Sequence, residues 1–170
     1  MPAEKNDPLD AWIVAVAPRA LAYARSLVRE PADAEDLVHD CFGRLLAHSR
    51  DYDLVRDGDK LLFKSITHAC IDWTRRQRPQ SGLETAEQED RSSERPDQQA
   101  LRNELQQAVH HALEELDVTD RAIVELRSLG HTLVEVAEML SLSHANARVK
   151  LHRARQTLAA RLQPYFDGES

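Results

Sequence analysis

The chain contains only two cysteines, and aromatic residues make up 5% of its 170 positions. Cys41 and Cys70 each stand alone inside a helical pattern, so the sequence indicates neither a disulfide framework nor a cysteine-based zinc site. We expect both thiols to be buried as small apolar side chains. Glycine and proline are also scarce, with five and seven residues. Together with abundant Ala, Leu, Glu and Arg, this composition favours an all-α protein.

Long apolar runs are missing as well. No segment is long enough to cross a bilayer, so no direct membrane insertion is expected. Residues 1–8 lack the basic and then apolar order of a secretory signal. The sequence therefore predicts a cytoplasmic protein.

The usual marks of catalysis are absent from the sequence. It shows no glycine-rich phosphate loop, no His and Cys residues at metal-ligand spacing and no Ser/His/Asp arrangement. His110 and His111 are adjacent, so they would face different directions on a helix and could not ligate one metal ion together. We expect no enzymatic activity, no cofactor and no metal.

The net charge is −7, which is unusual for a protein that binds DNA alone. Residues 1–79 carry −1, residues 80–100 carry −4 and residues 101–170 carry −2. Residues 80–99 are polar, with one leucine and one alanine, and cannot bury enough apolar surface to fold. The sequence thus predicts two small helical domains, 1–79 and 100–170, joined by a flexible acidic linker. Weak DNA affinity follows from the overall charge, so a partner would have to deliver the chain to DNA.

The strongest pattern lies in the second predicted domain. After a helix from Ala100 and another capped by Thr119 or Asp120, Gly130 suits a left-handed helix end. Thr132 and Glu135 form a capping box before an apolar stripe, and Ser143 can cap the next helix. This order predicts a helix-turn-helix. The second helix carries the candidate DNA-binding residues His144, Asn146, Arg148, Lys150, Arg153 and Arg155.

Basic residues without acids run through residues 148–161, which indicates phosphate contact. A solvated face of an ordinary helical bundle is the alternative interpretation of the same pattern.

The first predicted domain contains three helices. The first covers residues 9–29, with a kink or break at Pro18. The second runs from a cap at Asp33 to about His48, and its early acids either complement the helix dipole or bind a basic partner. A polar loop, 49–59, precedes a helix over 60–77. The arginines at its end either favour the dipole or, beside Trp73, form a surface for unpaired bases.

Specific motifs resemble those of bacterial sigma factors. Residues 33–42 read Asp-Ala-Glu-Asp-Leu-Val-His-Asp-Cys-Phe, similar to the Asp-Ala-Glu-Asp-Leu-Val-Gln-Glu-Thr-Phe signature of that class. Asp72, Arg75, Arg76 and Arg78 resemble the end of the same domain. The run Leu-His-Arg-Ala-Arg at 151–155 resembles the promoter-binding domain. The family is the sigma-70 family, and the two-domain layout is similar to its extracytoplasmic-function (ECF) group.

The resemblance implies roles for three sets of residues. The segment that grips core RNA polymerase would contain Asp33, Asp36, Leu37, Asp40 and Phe42. The segment that recognises and melts the −10 element would use Lys64, His68, Trp73, Arg75, Arg76 and Arg78, with loop 51–59 capturing an extruded base. The recognition helix at the −35 element would be 144–155. The implied partners are core RNA polymerase, promoter DNA and an anti-sigma factor.

The resemblance has departures and alternatives. Ser141 stands at the usual turn glycine, Asp117 at a common proline and Ala145-Asn146-Ala147 where Gly-Thr-Val is frequent. The main hypothesis is a sigma factor that directs polymerase to promoters and helps to melt them. A stand-alone helix-turn-helix regulator, which would bind a palindromic site without polymerase, is the first alternative. A protein that sequesters other factors is the second.

Overall fold

The computed structural model describes residues 7–77 and 96–166, and these ranges form seven α-helices and no strands. The prediction of an all-α protein is therefore confirmed. None of the described helices is both long and apolar enough to cross a membrane. Arg78 and positions 80–95 of the predicted linker lie outside the described residues. The helices are α1 (Pro8–Leu27), α2 (Pro31–Ala47), α3 (Leu54–Gln77), α4 (Pro96–Glu114), α5 (Val118–Ser128), α6 (Leu133–Met139) and α7 (His144–Phe166).

Helices α1 to α3 pack against one another as a first unit. Its core contains Val16, Ala20 and Ala24 of α1 together with Leu62 and Phe63 of α3, all buried. The three α1 residues recur at the four-residue spacing of one helix face. Helix α1 is continuous through Pro18, so the predicted break does not occur.

The predicted starts of α2 and α3 were wrong. Helix α2 begins at Pro31, which suits the first helical position, with Glu30 before it; Asp33 lies in the first turn and is not the cap. Helix α3 begins at Leu54, so the predicted loop 49–59 is helical from residue 54 onward. The side chain of Asp53 accepts a hydrogen bond from the Arg56 amide at 3.1 Å. This Asp53 contact is a capping interaction that stabilises the first turn.

Helices α4 to α7 form the second unit, in which α7 packs against the other three. Helix α4 begins at Pro96, four residues inside the predicted linker. The cap of α5 is Asp117, whose side chain accepts from the Thr119 amide at 3.2 Å, so the prediction of Thr119 or Asp120 as cap was wrong. Gly130 has φ +95°, which confirms the predicted left-handed helix end.

The two units are in contact. Helices α1 and α3 touch α5 and α6, and the buried side chains of both units form one continuous hydrophobic cluster. Phe63 of α3 is fully buried, and its ring lies 5.5 Å from that of His131, edge to face. The helix-turn-helix is thus held against the side of the first unit.

Candidate nucleic-acid interface

The helix-turn-helix is built from local hydrogen bonds that the sequence predicts. Thr132 Oγ1 accepts from the Glu135 amide at 3.2 Å, and Glu135 Oε2 accepts from the Thr132 amide at 2.8 Å. Ser143 Oγ accepts from the Asn146 amide at 3.2 Å at the start of α7. Both predicted caps are confirmed. Between the helices, Ser141 adopts φ +55°, a conformation that most residues avoid and glycine accepts readily.

Helix α7 buries one narrow face and exposes the rest of its first half. Ala147, Leu151 and Ala154 are buried against the unit. At about 100° per residue, the directly opposite side is occupied by Ala145, Val149 and Arg153, which are all exposed. His144 and Asn146 are exposed in the first turn, where unpaired backbone N–H groups favour a phosphate.

Ion pairs divide the basic residues of α7 into two groups. Lys150 Nζ lies 2.9 Å from Asp120 Oδ1 of α5, and Arg161 Nε lies 2.7 Å from Glu115 Oε2. Arg148, Arg153 and Arg155 are exposed, and in the described ranges no carboxylate forms an ion pair with them. Of the four cations predicted to bind DNA, Lys150 is therefore already engaged within the unit.

The predicted −10 residues do not share one side of α3. At about 100° per residue, Lys64, His68 and Arg75 lie on one side, whereas Trp73 lies on the opposite side and Arg76 about 120° from Lys64. Lys64, Arg75 and Arg76 are exposed, and His68 is half-buried. Arg76 Nε donates to the Asp72 carbonyl at 3.3 Å.

Trp73, also half-buried, packs against the hydrophobic cluster and leaves part of its ring accessible. The predicted capturing loop, 51–59, is replaced from residue 54 by the first turns of α3, so that part of the prediction was wrong.

The predicted polymerase-binding residues split between the two sides of α2. Asp36 and Asp40 are exposed, and Asp33 is half-buried. Leu37 and Phe42 are half-buried and pack against the core. The helix therefore presents carboxylates outward, while Leu37 packs on the core and Phe42 turns toward Trp12 of α1.

An apolar groove between α1 and α2 was not predicted. It has a volume of about 440 Å³, and Glu35 is among its lining residues, whereas Asp33, Asp36 and Asp40 are not. Ile13, Ala17 and Leu21 form one wall, and Val38, Phe42 and Leu46 form the other. Both sets have the i, i+4, i+8 spacing of a single helix face, which is the signal that could have revealed the groove.

The buried ionisable groups give no sign of a reactive centre. Burial raises the pKa of the Cys70 thiol to about 12, and Cys41 is also fully buried. Burial lowers the pKa of the His131 imidazole, which favours its neutral form. Within the described ranges no group of three or more His, Cys, Asp or Glu side chains is placed to hold a metal ion.

Each of the two units matches a known protein family. Residues 4–80 match the family described as Sigma-70 region 2, and residues 106–158 match Sigma-70, region 4. The chain is 33% identical over 158 residues to the ECF RNA polymerase sigma factor ShbA of Streptomyces griseus, covering 85% of this chain and 82% of the relative. It is 26% identical over 145 residues to the ECF RNA polymerase sigma factor SigX of Bacillus subtilis, covering 81% and 74%.

A solved structure has a similar fold. It is the sigma factor RpoE in complex with the anti-sigma factor NepR from Bartonella quintana, with a TM-score of 0.74 and 20% identity. The similarity covers 91% of this chain and 96% of that one. No enzyme family is indicated by these comparisons, and matches to both regions do not favour a stand-alone helix-turn-helix regulator. The chain belongs to the ECF group of the sigma-70 family of RNA polymerase sigma factors.

Proposed function

We propose that this sigma factor directs transcription initiation by binding core RNA polymerase through α2 and dividing promoter recognition between α3 and α7. It performs no chemistry of its own. The observation that carries the proposal is α7, a capped recognition helix whose outer half holds three exposed arginines without ion-pair partners in the described ranges. Such a helix fits the DNA major groove, where arginines bind phosphates and guanine edges.

The second unit is assigned to the −35 element. His144, Asn146, Arg148, Arg153 and Arg155 are exposed on α7 and can reach DNA without rearrangement. Lys150 must first leave Asp120, so its contribution to DNA affinity is smaller than that of Arg148. This assignment takes residues 100–170 as the −35-binding domain, residues 1–79 as the polymerase- and −10-binding domain, and residues 80–99 as the linker.

The first unit is assigned to core polymerase and to the −10 element. The exposed carboxylates of Asp36 and Asp40 attract a basic partner surface, and the groove beside Phe42, on another side of α2, accepts an apolar side chain. On α3, Lys64, Arg75 and Arg76 hold the backbone of the separating strands while Trp73 stacks on an unpaired base. Binding energy for the melted strand then drives opening.

Cellular context follows from these partners. Core polymerase and promoter DNA place the working protein in the cytoplasm. A similar fold occurs in a complex with an anti-sigma factor, and we infer that this chain is also held inactive by such a protein. A pull-down from native cells should recover one partner in addition to polymerase; recovery of polymerase alone would count against the anti-sigma factor.

Reconstitution tests the main proposal. The chain is mixed with core polymerase and a promoter library, run-off transcripts are mapped, and affinity for the selected promoter is measured over a range of salt. Arg148→Ala should weaken promoter binding. It should also reduce the slope of log affinity against log salt concentration by about 0.9, the effect of one lost phosphate contact. Arg161→Ala is the matched control, because Glu115 already pairs with Arg161. A chain that forms no stable complex with core polymerase would refute the proposal.

A further inference from the structure

Val149 occupies an unusual place on the recognition helix. Its side chain is 47% exposed and stands on the side of α7 directly opposite the buried Ala147, Leu151 and Ala154. No acid lies between positions 148 and 161. Ala145, one turn earlier, is exposed on the same side. Val149 is the larger apolar side chain of the two and is central to the face that would enter the groove.

The neighbours of Val149 restrict what it can contact. Arg148 lies about 100° to one side of it and Arg153 about 40° to the other, at the spacing of an α-helix. These two arginines can bind phosphates or guanine. The branched side chain of Val149 then lies at the centre of the face, against base edges. The apolar feature that a base edge offers in the major groove is the C5-methyl group of thymine.

We propose that Val149 is a specificity-determining residue that reads a thymine methyl group in the −35 element. The proposal rests on the function assigned above. This contact removes the thymine methyl group and the Val149 side chain from water, which should change promoter affinity about three- to tenfold. Arg148 and Arg153 fix the register in which the contact is made.

Deoxyuridine substitution tests this proposal at the level of one methyl group. Each thymine of the selected −35 element is replaced by deoxyuridine, and promoter binding by the holoenzyme is measured. One position should show a three- to tenfold loss with the wild-type protein and none with Val149→Ala. Val149→Thr, which keeps one methyl group and the branched shape, should retain part of the loss.

Two results would overturn the proposal for Val149. One is the absence of any deoxyuridine position that weakens binding beyond about twofold. The other is an equal loss with wild type and Val149→Ala. Failure of the holoenzyme to bind any promoter would instead refute the proposed function, so the two failures are distinguishable.

Discussion

Arg121 gives the sharpest test of how the second unit is held together. Its side chain is 8% exposed, and burial lowers the pKa of its guanidinium from the ordinary value. The group donates to the carbonyls of Leu113 (2.8 Å), Ser26 (3.1 Å), Glu114 (3.2 Å) and Leu116 (3.2 Å). Three of these carbonyls are at or just beyond the C-terminal end of α4, where the helix cannot satisfy them itself. Arg121 therefore caps α4 from α5.

Substitution by methionine keeps the apolar stem and removes every donor. If two of the four carbonyls are left without a hydrogen bond, at about 1–3 kcal/mol each, the free energy of unfolding should fall by about 2–6 kcal/mol. With a slope of about 2 kcal/mol per molar urea, the unfolding midpoint should fall by about 1–3 M. Arg121→Lys should lose about half as much, because an ammonium group cannot reproduce the planar fork.

Urea unfolding followed by circular dichroism measures these differences. Arg50→Met removes the same charge from an exposed position and should change the free energy of unfolding by less than about 0.5 kcal/mol. The reasoning is refuted if Arg121→Met unfolds within about 1 kcal/mol of wild type, or if Arg121→Lys is indistinguishable from wild type.

Three further predictions concern single side chains. Gly58→Ala should destabilise the protein by about 1–2 kcal/mol, because the new Cβ would lie 2.6 Å from Trp12; Gly43→Ala, with open space around it, should stabilise it by about 0.5–1 kcal/mol. Thr132→Ala should lower the free energy of unfolding by about 1 kcal/mol, since the capping box loses its hydroxyl. Below pH 6.5, wild type should lose stability relative to His131→Phe, because the unfolded chain binds a proton that the buried imidazole resists.

Each of these predictions has its own control. Equal effects of the two glycine substitutions would contradict the steric argument, and Thr132→Ser should keep most of the cap. The pH effect is read as the difference between wild type and His131→Phe, at most about 1.4 kcal/mol per pH unit. This comparison is needed because burial raises the pKa of Glu125, which acts with opposite sign. Parallel pH profiles of the two proteins would show that His131 is not responsible.

The sequence predicted the helix-turn-helix well because its signals are local. Thr132, Glu135, Ser143 and Gly130 each act within a few residues of their partners, so their spacing identifies the ends of α5, α6 and α7. The start of α3 was missed because residues 51–59 are polar. The helix there is supported by Asp53 at its start and by packing of Gly58 against Trp12, 46 positions away.

Tertiary contacts explain what the sequence did not predict about the site. The engagement of Lys150 by Asp120 joins residues 30 positions apart, and no spacing rule distinguishes Lys150 from Arg148. The contact between the two units depends on Phe63 meeting His131, which a composition suggesting two separate bodies does not indicate. The exposed carboxylates of α2 were identified, but the groove between α1 and α2 depends on the packing of the two helices and was not.

The two buried cysteines allow local opening of the first unit to be measured by thiol labelling. Cys41 and Cys70 have no accessible surface, and the thiolate of Cys70 is strongly disfavoured at neutral pH. A thiol reagent can modify them only while the helices transiently part, so the labelling rate reports the frequency of such fluctuations in the first unit. A cysteine introduced at an exposed position would react much sooner, which allows a fluorophore to be attached while both native thiols stay in place.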